Sequence, residues 1–389
     1  MNKTMLSEGE RLVLCIGICV LLLGAVGWGI QLTGGLIAGS GMTNIFLWGL
    51  MIAMFAFMVG FGAGAQLIAS FIYLRGHENL KPLAQRAAAV GLACVAAAGV
   101  AILADLGAIR NILAMIIGLN PRSPLAWDMI AMTAFLILSI VQLVAMARDS
   151  DRTRLWVLLA GAAALVLQIV EGLLFSTQLA HAWWATPIMP IDFIAVAFVS
   201  GSALLMLIAA LRGEAASIVS WLARFCAIAI GVHLVLALAD LALVAFENSP
   251  VSGGVLAALS ACLPLYLSEL VLPAIGMALL LTLGKTGKSG MCVLASLLTI
   301  AGIFAHRLML LFPAYNAPSL YLTLSGTNTV TGPYPVSIGR YVDWGQAFAV
   351  TTDYAPAYAE WVAALLPIGV AMAATVIILA VMRLLKQKA

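Results

Sequence analysis

Charge is what this chain lacks. Only 9% of its 389 residues are Asp, Glu, Lys or Arg, against about 25% in a soluble domain. With 64% hydrophobic residues and a mean hydropathy of +1.12, that scarcity excludes a water-soluble globule and leaves a polytopic membrane protein. No cluster of Lys and Arg offers a nucleic-acid surface. Cysteine is sparse too: Cys15, Cys19, Cys94, Cys226, Cys262 and Cys292 form no C-x-x-C pair. No iron–sulfur cluster or structural zinc is therefore expected, and these cysteines read as small buried hydrophobes. No stretch reads as strand, and no hydrophilic domain remains outside the apolar runs. A signal-peptide pattern is missing as well. Glu8, Glu10 and Arg11 precede an apolar run of about 20 residues, too long for a cleavable core, and this run is expected to be a first span.

What is present is a series of runs that can each cross a bilayer, which takes about 20 apolar residues. They cover 12–31, 45–74, 84–107, 125–147, 155–176, 188–211, 221–246, 260–283, 290–312 and 358–382. The expected fold is all-α, with ten transmembrane helices in a single membrane domain. Residues 313–357, rich in Pro, Gly, Tyr and Thr, form a loop far longer than usual. Of the 19 Lys and Arg residues, only Arg110, Arg122, Arg307 and Arg340 fall away from one side of this arrangement. The positive-inside rule then places both termini in the cytoplasm, with the protein in the inner (cytoplasmic) membrane and the 313–357 loop outside.

Against this background the ionisable residues are few and grouped. The ninth run carries His306 and Arg307, about 8 Å below its outer end at 1.5 Å per residue. Arg does not escape burial by losing its proton, and a cation at the bilayer centre costs about 2.5–3.5 kcal/mol on insertion scales. An acid must compensate it. Asp105, Asp128, Glu171, Asp192, Asp240 and Glu269 lie in or near other spans, all toward the outer side. Asp240, Glu269 or Glu171 is the expected partner of Arg307. An ion-pair lock between helices and a proton network both account for any one of these residues. Six acids at one level, with His306 and Arg307, favour the network.

A repeat is also legible. Gly64 to Arg75-Gly76 aligns with Gly201 to Arg212-Gly213, and the same offset brings Asp128 near Glu269 and Glu171 next to Arg307. Residues 45–176 and 188–312 then read as two parallel four-helix units, flanked by the first and last spans. Within the first unit, Gly60 and Gly64 make a G-x-x-x-G packing face. Asn44 and Trp48 sit one turn apart at the outer interface. Arg122 precedes Pro124 and Asp128, where a cap or an Arg–carboxylate pair is expected.

Taken together, Trp48-Gly-Leu, Val59-Gly-Phe-Gly-Ala-Gly64, Pro121-Arg-Ser-Pro-Leu-Ala-Trp127, Met189-Pro190-Ile-Asp-Phe193, Ser200-Gly-Ser-Ala203 and Gly302-Ile-Phe-Ala-His-Arg307 resemble the NrfD-type family. These are the membrane subunits of polysulfide reductase and of DMSO-reductase-type complexes. The resemblance runs from about residue 40 to residue 375, with a span count like that of its ten-helix branch. It implies a subunit without haem or iron–sulfur cluster that exchanges electrons and protons with menaquinone or ubiquinone near the outer face. It also implies a ferredoxin-like iron–sulfur partner and, beyond it, a molybdopterin catalytic subunit.

The residues fit that chemistry in their own right. A quinone site needs an apolar slot, hydrogen bonds to two oxygens, and groups that pass protons. The expected site lies in the outer half of the first unit. Asn44 would bond a quinone oxygen, Trp48 would wall the ring, Asp128 and Glu171 would exchange protons, and Arg122 would hold the carboxylate. Asp105, Asp192, Asp240, Glu269, His306 and Arg307 would form the wider network. A haem-b anchor is an alternative, but His233 and His306 are expected at different depths. A secondary transporter is another, although the repeat is parallel rather than inverted. The 313–357 loop is expected to cover the outer mouth or to contact the partner.

Overall fold

The computed structural model describes residues 6–34, 39–42, 46, 48–106, 116–179, 181–282, 289–316 and 354–388, with four two-residue strands between 321 and 349. Among the described residues ten helices are long and apolar enough to cross a membrane. The spans begin with α1 (Glu8–Gly34), α2 (Leu50–Arg75), α3 (Lys81–Asp105), α4 (Pro124–Ala147) and α5 (Thr153–Ser176). They continue with α6 (Met189–Leu211) and α7 (Ala216–Glu247). A short helix, α8 (Pro250–Ala261), precedes the span α9 (Leu263–Thr282). The ninth span is α10 (Ser289–Met309), continued by α11 (Phe312–Asn316). The last joins α12 (Tyr358–Ala363) to α13 (Leu365–Lys388).

The all-helical expectation holds for the spans, with a short helix and two minimal strand pairs unforeseen. Helix α8 lies where a loop was expected. Its start is set by Ser249 and Ser252, which form a reciprocal capping box ahead of Pro250. Two minimal antiparallel pairs occur in the long loop. β1 (Tyr321–Leu322) pairs with β2 (Val330–Thr331), and β3 (Val336–Ser337) pairs with β4 (Phe348–Ala349).

Burial identifies the centre. The most apolar window of α2 is 89% buried, against 17% in α1 and α7. Around it, α2 packs on α3 and α5, and α4 packs on α3 and α5. In the later half, α6 packs on α7 and α10, and α9 packs on α7 and α10. The two sets meet where α2 and α5 touch α6 and where α2 touches α10. Helices α1 and α13 pack along each other at the side, with α13 against α3.

The α2–α6 crossing is close because of two glycines. A Cβ on Gly64 would overlap the carbonyl of Ala197, and one on Gly201 would overlap the backbone of Gly64. Small residues of this kind let transmembrane backbones approach. Both helices end alike: Gly76 and Gly213 take φ of +67° and +65°, the left-handed C-cap that glycine adopts without a Cβ penalty.

Candidate functional site

Polar side chains gather inside the bundle toward the Arg-poor ends of the spans. Arg307 of α10 is at their centre and is fully buried. Its guanidinium lies over the Phe193 ring of α6, 4.2 Å from the centroid, a cation–π contact. The expectation of one contacting acid is not met: Nε, Nη1 and Nη2 have no hydrogen-bond partner among the described residues. Glu171, Asp192 and Glu269 instead surround Arg307 within electrostatic range. Asp240 accepts a hydrogen bond from Thr186. Spreading the compensation over three carboxylates leaves the cation held by field rather than by contact.

On the α4–α5 side, Asp128 and Glu171 are buried and within electrostatic range of each other. Gln168, one turn earlier on α5, donates to Glu171 Oε2 at 3.0 Å. Asp128 Oδ1 and Glu171 Oε1 have no partner among the described residues. The expected Arg122–Asp128 pair does not form. Arg122 is exposed in the turn before α4, with its backbone N–H bonded to Asn120, whereas Asp128 falls on the inward face with Ala126, Ala131 and Phe135. Asn44 lies outside the described residues.

Trp48 is placed above this pair. It stacks on Trp184, with centroids 5.5 Å apart and planes at 29°, and meets the edge of Phe175 at 5.5 Å. Phe175 is four residues beyond Glu171 on α5 and so shares its face. Tyr315 fixes Trp48 from the far end of the chain, accepting from its N–H at 3.1 Å and donating to its carbonyl at 2.8 Å. His181 stacks against Trp184 at 4.3 Å, and burial holds its imidazole below the ordinary value.

On the α6–α10 side carboxylates pair with imidazoles, although Glu269 Oε2, His233 Nε2 and Tyr266 Oη have no partner among the described residues. His233 Nδ1 pairs with Asp192 Oδ1 at 2.8 Å, and His306 Nδ1 pairs with Glu269 Oε1 at 3.0 Å. His306 Nε2 lies 3.3 Å from Asp192 Oδ2 without hydrogen-bond geometry. A cavity of about 30 Å³ adjoins them, lined by Trp183, Asp192, Asp240, Tyr266, Glu269 and His306, with room for one or two waters. The expected depth difference between His233 and His306 is absent, since their rings are 5.0 Å apart. Helix α7 starts earlier than its hydropathy indicated, and each histidine sits the same distance along its helix from the Arg-rich end. The two rings are too close to hold a porphyrin between them.

Two further polar groups lie inside the bundle, and the first of them, at Glu360, was not foreseen. Glu360 of α12 is buried and accepts from Leu50 N–H at 3.2 Å, from Gly41 N–H and from Tyr354 O–H. It anchors the first turn of α2, beside Asp105, which accepts from Gly49 N–H at 3.4 Å. Its only sequence signal was an acid at the start of an apolar run. The second group is near the start of α5, where Gln66 donates to the Val157 carbonyl at 3.4 Å and to Ser70 at 3.2 Å, and Gln66 and Gln142 exchange hydrogen bonds. The described ends of the 313–357 loop, Tyr315 and Tyr354, are buried against the start of α2. Tyr334, Tyr341 and Trp344 lie outside the described residues.

Fold and site together define a polytopic helical membrane protein with carboxylates, imidazoles and one guanidinium inside its bundle. The profile of the polysulphide reductase NrfD family matches residues 39–319, and the chain belongs to that family. It is similar to a putative dimethyl sulfoxide reductase membrane subunit of Halobacterium salinarum, 32% identical over 50% of this chain and 51% of the relative. A selenate reductase subunit of Mesobacillus selenatarsenatis is 21% identical over 77% of this chain and 81% of the relative. The chain thus spans about half the length of the first of these relatives.

Proposed function

We propose that the chain is the quinone-interacting membrane subunit of a multisubunit respiratory reductase, exchanging protons through Asp128 and Glu171 and electrons through an extracytoplasmic iron–sulfur subunit. The names of both relatives support a place in a reductase complex, and a molybdopterin catalytic subunit is the proposed terminal partner. The observation that carries the site is the pair of buried, unpartnered carboxylate oxygens, Asp128 Oδ1 and Glu171 Oε1, within electrostatic range of each other, with Arg307 in range of Glu171 and no imidazole bonded to either among the described residues. A buried oxygen of this kind is normally completed by a ligand, a water or a proton.

Quinol oxidation releases two electrons and two protons. Asp128 and Glu171 accept the protons, and the partner's clusters take the electrons. In the reverse direction the same carboxyls donate. Trp48, Phe175 and Trp184 form the aromatic wall beside the carboxylates, and Asn44 donates to a quinone oxygen. Arg307 lowers the cost of keeping charge in the bundle. Asp105, Asp192, Asp240, Glu269 and His306 make up the wider proton network. With both termini cytoplasmic, this site faces the outer half of the inner membrane.

Asp128→Asn and Glu171→Gln keep shape while removing titration. Each is expected to leave assembly intact and to lower quinol-linked turnover by about a hundredfold, the scale of lost acid–base catalysis. Turnover with an artificial donor to the catalytic subunit should be unchanged. Full quinol turnover in both variants would move proton exchange to Asp192, Glu269 and His306.

A further inference from the structure

At the opposite, Arg-rich end of the bundle the ends of five elements enclose a second cavity, of about 240 Å³. Four cations line it: Arg86 from the first turns of α3, Arg212 at the end of α6, and Arg383 and Lys386 near the end of α13. Their carboxylate partners among the described residues are fewer. Glu10 of α1 is shared by Arg383 at 2.9 Å and Arg212 at 3.7 Å. Glu214 pairs with Arg86 through two hydrogen bonds and lies 3.8 Å from Arg212. Asp149 is 4.0 Å from Lys386, and both of those side chains are largely exposed. Four cations therefore meet three carboxylates, with Glu10 divided between two guanidinium groups. The floor is apolar, made by Met146, Leu379 and Met382.

We propose that this cavity is a binding site for the phosphodiester headgroup of an anionic phospholipid. Sorting of Lys and Arg to one end of a membrane protein needs no ligand, but sorting by itself does not make a concave site with an apolar floor. The surplus cation complements a phosphodiester, and Arg provides the planar fork that phosphate accepts from. The site sits where the apolar spans end, at the level of lipid headgroups, and basic pockets between helices at this level take anionic lipids. Met146, Leu379 and Met382 meet the glycerol and the first methylenes. A soluble phosphate would make no use of that floor.

The test uses the assembled protein, purified in mild detergent and stripped of lipid. Phosphatidylglycerol is expected to raise its thermal midpoint and to stay bound in native mass spectrometry, whereas phosphatidylcholine at equal concentration does neither. Inorganic phosphate at the same phosphate concentration should give no rise. The double variant R383Q/K386Q should bind phosphatidylglycerol at least about tenfold more weakly, on the scale of the contribution of each basic residue near a membrane surface. Because Arg383 also holds Glu10, Lys386→Gln is the companion. Its pair is exposed, so the fold is kept, and a severalfold loss is expected. Arg224→Gln, at the same end but outside the cavity, should bind as the wild type does. Equal stabilisation by phosphatidylcholine, unchanged retention in both cavity variants, or stabilisation by inorganic phosphate alone would each overturn the lipid site.

Discussion

Two groups of titratable residues share Arg307, and they are completed in different ways. On the α6–α10 side, Asp192 holds His233, His306 holds Glu269, and Asp240 is bonded by Thr186, while Glu269 Oε2 and the Nε2 atoms of both histidines have no partner among the described residues. On the α4–α5 side, Asp128 and Glu171 each leave an oxygen without a partner among the described residues, and Gln168 serves only one oxygen of Glu171. Carboxylate–imidazole pairs tie α6 to α7 and α9 to α10 and add to the specificity of the core. Asp128 and Glu171 have no such imidazole among the described residues, and their free oxygens are open to a ligand, a water or a proton. Residue types common to the two groups are thus expected to weigh differently, toward structure and the wider proton network on the α6–α10 side and toward direct exchange with quinone on the α4–α5 side.

The comparison can be broken at the residue both groups share. Arg307→Ala leaves three buried carboxylates without their common cation. It is expected to cost about 3–5 kcal/mol, the scale for breaking a buried charge arrangement, and to lower the amount of assembled protein in membranes. Normal assembly would mean that the two groups are independent. A smaller effect separates them. His233→Ala removes the partner of Asp192 and should cost about 1–3 kcal/mol of stability, read as a lower thermal midpoint, with a larger effect on stability than on quinol turnover. Glu171→Gln should show the opposite balance. If the two variants lose stability and turnover in the same proportion, the distinction between the groups fails.

Packing sharpens the same comparison. Gly201→Ala pushes a methyl group into the α2 backbone at Gly64. It should cost about 1–3 kcal/mol, as overpacking does, and disturb both groups because α2 and α6 join them. The smallest effects are expected at the caps. Gly76→Ala and Gly213→Ala each place a Cβ on a left-handed residue, at about 1 kcal/mol apiece. Equal costs, measured by chemical denaturation in detergent, would fit equivalent helix ends in the two halves.

Most of the fold was legible because a span needs only length and hydropathy, and both are local. Boundaries moved where a polar residue belonged to a helix, as Glu8 and Glu10 do at the start of α1. Helix α8 was missed because an apolar stretch beside a span looks like part of that span or its loop. The acids and Arg307 were visible as rare charges in apolar runs. Their pairing was not, since it depends on rotation about each helix axis and on where a helix begins: Arg122 stays exposed in the turn before α4, whereas Asp128 faces inward. His233 was expected at a different depth from His306, and only the tertiary crossing of α7 and α10 brings the two together. Glu360 acts across the whole chain on the start of α2, a contact no local pattern encodes.

The most direct test follows the proton. Infrared difference spectra of the oxidised, assembled complex, recorded as quinol is added, report any carboxyl group that becomes protonated. The account predicts a new protonated-carboxyl band that is reduced in Asp128→Asn and in Glu171→Gln, absent in the double variant, and retained in Asp192→Asn. A band that survives the double variant and disappears in Asp192→Asn would contradict it.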